Sequence, residues 1–290
     1  MRIGLQINNF TWPGGDTKIG QTLGEIAATA DKAGFYSIWV MDHFFQIHYV
    51  GEPTEPMLEG YTTLGYLAGV TKKAKLGTLV TGVIYRHPSL LINAVTSLDV
   101  LSGGRAYFGV GAAWNEEESK GLGFAFPPVK ERFEQLEETL QLAHQMWKGD
   151  EKPFTGKHYS LEWPMLQPKP VTKPHPPIMI GGGGEKKTLR FVAQYADACN
   201  LFVRLGSEEL QRKLDILKDH CKEVGRNYDD IEKTALSSVP EDVTADQVVE
   251  ECKVLRELGI THVIFSIRNV YKQKALNLFG DTIIPAVSKF

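Results

Sequence analysis

"IMIGGGGEKKTLRFVAQYADACN", residues 178–200, runs from three apolar residues through four consecutive glycines into a segment of helical spacing and then a second apolar run. In order, this reads as strand, turn, helix and next strand, the repeating unit of a parallel sheet. Glycine is the costliest residue to order, so four at a strand end imply that something approaches the backbone too closely for any Cβ.

The same unit recurs along the chain. Short β-rich segments fall near 2–8, 36–41, 75–81, 105–111, 177–181, 197–203, 232–239 and 261–267, several of them nearly continuous apolar runs, as strands buried on both faces require. Helical spacing marks 24–33, 90–101, 132–147, 187–195, 208–222, 244–258 and 271–287. In the third of these, Phe133, Leu136, Leu140, Ala143 and Trp147 step by three and four, and Gly149 stands where a C-cap belongs. Eight strands alternating with helices predict a closed (β/α)8 TIM barrel formed by residues 1–290 as a single domain, with an open doubly wound sheet as the weaker alternative. Residues 151–177, "EKPFTGKHYSLEWPMLQPKPVTKPHPP", are too long and proline-rich for an ordinary connection. They read as a hairpin plus an extended insertion at the C-terminal rim, equally a substrate lid or a surface excursion. A second long loop, 44–60, leaves strand two.

Composition narrows the class. Hydrophobic residues make up 42% and charged residues 23%, enough apolar material for a large interior. The formal charge of -3, with no basic run longer than a pair, gives no footprint for nucleic acid. No stretch of spanning length is free of charge, and residues 1–10 alternate like a strand instead of forming a leader, so a cytoplasmic protein is expected. Cys199, Cys221 and Cys252 are too scattered for a disulfide framework or a thiolate zinc site, and the histidines make no metal-ligand spacing.

Chemistry in such a barrel collects at the C-terminal ends of strands. Those ends hold Gln6, the Asp42–His43 pair, Thr81, the run Gly111–Ala112–Ala113–Trp114–Asn115, the glycines Gly181–Gly184 with Glu185, and Arg204. Glycines leading into a helix offer free N–H groups and a positive helix end, a site for phosphate; they equally fit a plain βα turn. His43 suits proton exchange near neutrality and Asp42 could orient it, although successive strand residues point apart and the pair also fits a loop anchor. Small residues after strand four would let a flat ring lie on the backbone beside Trp114. Glu116–Glu118 read as a solvated first helical turn.

With those ends in order, "GLQI", "WVMDHF", "KLGTLVTGVIYRHPSLLINAVTSLDVLSGGRAYFGVGAAWNEEE", "RFEQLEETLQLAHQMW" and "PHPPIMIGGGGEKKTLRFVAQYADACN" resemble, in sequence and spacing, the bacterial-luciferase-like superfamily of flavin and deazaflavin enzymes. "DHFF", "TGVIYRHP" and "IGGGGEKKTLR" resemble the subgroup that uses the deazaflavin coenzyme F420. The resemblance implies a cofactor ring in the barrel mouth, its phosphate beside the glycines, and a non-proline cis peptide within Leu79, Val80 and Thr81 pressing on the ring. It implies ring or phosphate contacts for Gly111–Asn115 and Gly181–Glu185, a tail or phosphate contact for Arg204, and His43 with Asp42 facing the deazaflavin. In sugar-phosphate dehydrogenases of the family a catalytic glutamate follows the strand-four glycines; Trp114 stands there in this chain, which argues against a sugar phosphate. The expected activity is hydride transfer between F420 and a small organic substrate. The alternatives are an FMN-dependent monooxygenase and a non-catalytic flavin-binding barrel. A homodimer is the expected assembly.

Overall fold

The computed structural model describes all 290 residues, Met1–Phe290. Eight parallel segments make up the barrel: β1 (Arg2–Ile7), β2 (Ser37–Val40), β3 (Lys75–Thr78), β4 (Phe108–Gly111), β5 (Ile178–Gly181), β6 (Ala198–Phe202), β7 (Glu232–Val239) and β8 (His262–Ile267). β1 pairs with both β2 and β8, and each further pairing follows chain order. The circle closes where Leu76 bridges Ala106 and where Thr81–Gly82 carries strand three past Thr78 to pair with Val110 and Gly111. Between those two pieces lies the cis peptide Leu79–Val80, inside the interval expected for it. A Cβ on Gly109 would fall 1.9 Å from the Thr78 carbonyl oxygen, so only glycine lets β4 approach β3 closely enough there.

Helices α1 (Asp16–Ala33), α2 (Gly60–Val70), α3 (Pro88–Ser102), α4 (Glu116–Gly121), α5 (Val129–Lys148), α6 (Thr188–Tyr195), α7 (Ser207–Val224) and α8 (Ala245–Glu257) follow the strands, and residues 274–287 form a last helical stretch broken by a π-helical turn at Phe279–Ile283. The principal core lies between the strands and these helices. A second, smaller cluster of Trp39, Tyr107, Met179, Ala198 and Ile264 fills the barrel. Helix α2 escapes the periodicity reading because "GYTTLGYLAGV" is rich in glycine and threonine; its first turn is held by the Glu59 carboxylate, which accepts from the N–H groups of Tyr61 and Thr62.

The insertion at 151–177 packs on the outside of the barrel. It leaves α5 and enters β5, so both its ends lie at the N-terminal face of the barrel, and its hairpin (Phe154–Thr155 with Ser160–Leu161) climbs the outside between α3 and α5. Glu138 on α5 accepts from the N–H groups of Lys157, His158 and Tyr159, and Asp99 near the end of α3 binds Thr172. Tyr159 packs on His87 at the head of α3, ring centroids 5.4 Å apart. The hydrogen bonds that pin the segment run to the flanks of α5 and α3.

Candidate active site

The parallel strands place every predicted site residue, Arg204 included, at or within four residues of a C-terminal strand end. Asp42 and His43 extend β2, and the alternation of a strand sends them apart. Asp42 is buried and takes a bidentate pair from Arg86, with Nη1 at 2.6 Å and Nη2 at 2.9 Å, while Arg86 also binds Glu59 and lies 4.8 Å over the Tyr61 ring. Burial works against the Arg86 charge, but Asp42 and Glu59 raise its pKa. The Tyr61 hydroxyl bonds Thr81 Oγ1 at 2.9 Å, Thr81 bonds Thr78 at 2.8 Å, and Thr78 donates to the Gly109 carbonyl. Asp42 and Thr81 therefore sit in a buried ionic network beneath the mouth, and Asp42 does not orient His43.

His43 is bonded instead to a residue read from sequence as solvated. Glu116 and Glu117 are exposed, but Glu118 is fully buried. Its Oε1 accepts from His43 Nδ1 at 3.1 Å and from the Tyr85 hydroxyl; its Oε2 accepts from the N–H groups of Phe44 and Phe45 at 2.6 and 2.8 Å. Burial pushes the Glu118 carboxyl up, and these donors, His43 first, more than offset it and hold its pKa below the usual value. The signal for this residue was Asn115-x-x-Glu118, the pattern of an N-cap with an acid at N3. Asn115 does cap α4, its side-chain oxygen accepting from the Glu118 N–H, whereas the Glu118 side chain turns to the loop after β2.

His43 Nε2 has no protein partner and is not sealed from solvent, so it is the ring nitrogen offered to the mouth. The ring edge packs on Trp114 with centroids 5.5 Å apart. Trp114 itself is 56% exposed and stands 6.4 Å from Tyr49 of the 44–59 loop, and these two residues line a pocket of about 190 Å³ with Phe45, Ile47 and Pro53. Arg204 lies beyond β6 in a short 3-10 turn, its guanidinium 4.6 Å over the Phe202 ring and 5.5 Å from the Tyr49 ring. A larger cavity, about 620 Å³, opens between the start of α7 and the face of α8 from Asp246 to Leu255 and is not lined by His43; the site is assigned by its ionisable groups and not by size.

At the glycine run, Gly182 adopts φ +109°, open to glycine and strained for other residues, and its N–H is used by the Asn200 carbonyl. The N–H groups of Gly183 and Gly184 find no backbone acceptor; the side chains of Lys213 and Leu201 lie near Gly183 and that of Thr188 near Gly184. Helix α6 follows without a side-chain cap. Lys213 of α7 passes beneath Gly183, and its Nζ lies 2.6 Å from Glu185, which Arg212 also binds at 2.6 Å. Arg212 and then Lys213 hold the Glu185 carboxyl down at about 2. Free N–H groups and an uncapped helix start form a cradle suited to an anion such as a cofactor phosphate, beside Arg212 and Lys213, which are each paired with Glu185 and Glu209. Gln6 is buried at the end of β1; Gly111, Ala112, Ala113 and Gly181 line the ends of β4 and β5, with Leu79 and Val80 between β3 and its continuation. No cluster of three or more His, Cys, Asp or Glu suits a metal ion.

Residues 1–277 match the sequence profile of the luciferase-like monooxygenase family. The chain belongs to that family. Within it, the chain is 27% identical to the F420-dependent glucose-6-phosphate dehydrogenase of Nakamurella multipartita over 91% of each chain. Two solved structures show the same luciferase-like barrel. An F420-dependent secondary alcohol dehydrogenase, in complex with an F420–acetone adduct, superposes with TM-score 0.84 at 20% identity over 99% of this chain and 98% of its own. The EDTA monooxygenase of Chelativorans sp. BNC1 gives TM-score 0.85 at 13% identity over 100% and 93%. The Leu79–Val80 cis peptide agrees with what the resemblance to this family implied.

Proposed function

We propose that this luciferase-like protein is an F420-dependent oxidoreductase transferring a hydride between the deazaflavin and a small organic substrate. The observation that carries the reading is the open Nε2 of His43 at the same end of the barrel as an anion cradle of free N–H groups. The F420 dependence of the Nakamurella relative, similar across nearly the whole chain, favours the deazaflavin over FMN. When bound, the coenzyme supplies the hydride-exchanging ring.

The chain's own residues do the rest. Gly183 and Gly184 N–H, with Lys213, hold the phosphate; Gly111–Ala113, Val80 and Gly181 keep the mouth free of bulk for a flat ring; Trp114 walls the substrate side. Nε2 of His43 takes or gives the proton that accompanies the hydride. With Trp114 where a glutamate would serve a sugar phosphate, the substrate is a smaller alcohol, carbonyl compound or activated alkene, and Arg204 borders its approach with Tyr49.

We further propose that a second copy covers the apolar face formed by exposed Tyr66 of α2 and Leu90 and Leu101 of α3, and that the protein works in the cytoplasm, a reducing setting that suits three buried free cysteines. No helix is long and apolar enough to cross a membrane. Titration of the purified protein with F420 and, separately, FMN, followed by fluorescence quenching, tests the cofactor. Saturable binding of F420 alone is expected; preference for FMN would favour the monooxygenase, and binding without turnover of any alcohol or carbonyl compound would favour a non-catalytic carrier.

A further inference from the structure

The proton-handling end of the site has a second member. An ionised carboxylate only accepts hydrogen bonds, and Glu118 Oε2 is already occupied by two backbone N–H groups. The atom 3.1 Å from its Oε1, His43 Nδ1, must then carry the hydrogen, which leaves the lone pair of the neutral ring on Nε2. The ring is held in that orientation from two further directions. Trp114 packs against it edge to face, and the chain on either side is fixed by Asp42 in its Arg86 pair and by the Phe44 N–H on Glu118.

We propose that Glu118 is the positioning residue of this site, fixing the His43 tautomer that presents Nε2 as a proton acceptor to the mouth. The proposal rests on the oxidoreductase reading for its role in turnover, but the tautomer itself is a property of the protein without coenzyme. When Nε2 takes a proton from a substrate hydroxyl, the ring gains a positive charge beside the buried Glu118 carboxylate, which stabilises it without further movement. The Tyr85 hydroxyl donates to the same Oε1 that His43 bonds. A merely structural Glu118 would need only the two loop N–H groups, which one carboxylate oxygen serves; the second oxygen, shared by the imidazole and the phenol, has no such use.

The test begins on the coenzyme-free wild type with 15N-labelled histidine, the His43 signals assigned by their loss in His43→Gln. A protonated Nδ1 and an unprotonated Nε2 are expected in the neutral ring; the opposite tautomer would overturn the proposal. Glu118→Gln, which puts an amide donor against atoms that are themselves donors, should mix the tautomers and lower turnover by about 10² while F420 affinity changes less than about threefold. Unchanged tautomer and unchanged turnover in a folded Glu118→Gln protein would also overturn it. If that variant does not fold, the wild-type spectrum decides alone. Absence of F420 binding by wild type would remove the oxidoreductase reading and leave the tautomer result standing, so the two failures are distinct.

Discussion

Glu118 and His43, 75 residues apart in the chain, meet at 3.1 Å because α4 folds back from β4 over the end of β2. The contact joins the two elements that border the mouth and leaves one ring nitrogen free. Replacing His43 with Gln keeps size and some hydrogen bonding but removes proton exchange. Turnover is expected to fall by roughly 10² to 10⁴ with F420 affinity and melting temperature little changed. Stopped-flow single turnovers on wild type and variant measure it; retained turnover would mean that the proton comes from solvent.

The Asp42–Arg86 pair is expected to matter for stability and not for chemistry. Arg86→Met strands a buried carboxylate and should cost about 3–5 kcal/mol in denaturant unfolding, and the added Asp42→Asn change should recover much of that loss. Folded Asp42→Asn alone should keep turnover, and a loss beyond about tenfold would restore Asp42 to the chemistry.

Gly183 has no positive φ, and the atoms nearest an added Cβ are 3.6 Å or more away, so a larger residue can be tolerated by the fold. A valine there would place methyl groups over the free N–H cradle. Gly183→Val is expected to keep its melting temperature and to weaken F420 binding by on the order of tenfold or more, a loss of about 1.4 kcal/mol. Equal affinity in the two proteins would move the phosphate elsewhere.

Acid sensitivity should trace to the opposite face. Burial disfavours the charge of Glu232 on β7, but His262 at 3.3 Å, Arg2 at 2.9 Å and the Tyr107 hydroxyl at 3.0 Å outweigh it and hold its pKa at about 2. A carboxyl depressed in the folded state adds stability that is complete above its unfolded pKa of about 4.5 and is lost as pH falls toward 2, here on the order of 3 kcal/mol. Glu232→Gln should be less stable than wild type at pH 7, and the difference should shrink between pH 5 and 2. A constant difference across that range would count against this assignment.

The apolar face on α2 and α3 gives a solution test. Leu90→Glu with Leu101→Glu should shift sedimentation equilibrium from dimer to monomer without unfolding, and an unchanged mass would place the interface elsewhere.

The barrel is legible in the sequence because its strands are apolar on both faces, a pattern few other folds impose. The glycine run announces its cradle for the same local reason: four residues without Cβ at one strand end. What local reading cannot supply is partnership across the chain. Asp42 and His43 are neighbours in sequence, and only the fold shows that one turns to Arg86 and the other to Glu118. Glu116 and Glu117 obey the expectation for a charged first turn; Glu118 differs because the loop after β2 lies against that side of α4. The insertion's prolines advertise irregular chain but not the helices it is bonded to, α5 through Glu138 and α3 through Asp99.

The loop between β2 and α2 is tied down at both ends by carboxylates: Glu118 on the N–H groups of Phe44 and Phe45, and Glu59 on those of Tyr61 and Thr62. The span between those anchors carries Tyr49 and much of the pocket wall, yet supplies neither His43 nor the glycine cradle. It therefore behaves as an exchangeable cassette. Inside the span, buried Gln46 bonds the Asn8 carbonyl and Glu55 accepts from Asn9 and Thr11, so the part open to swapping or diversification is His48–Thr54, and a library confined to those positions would search specificity while the anchors keep the chemistry in register.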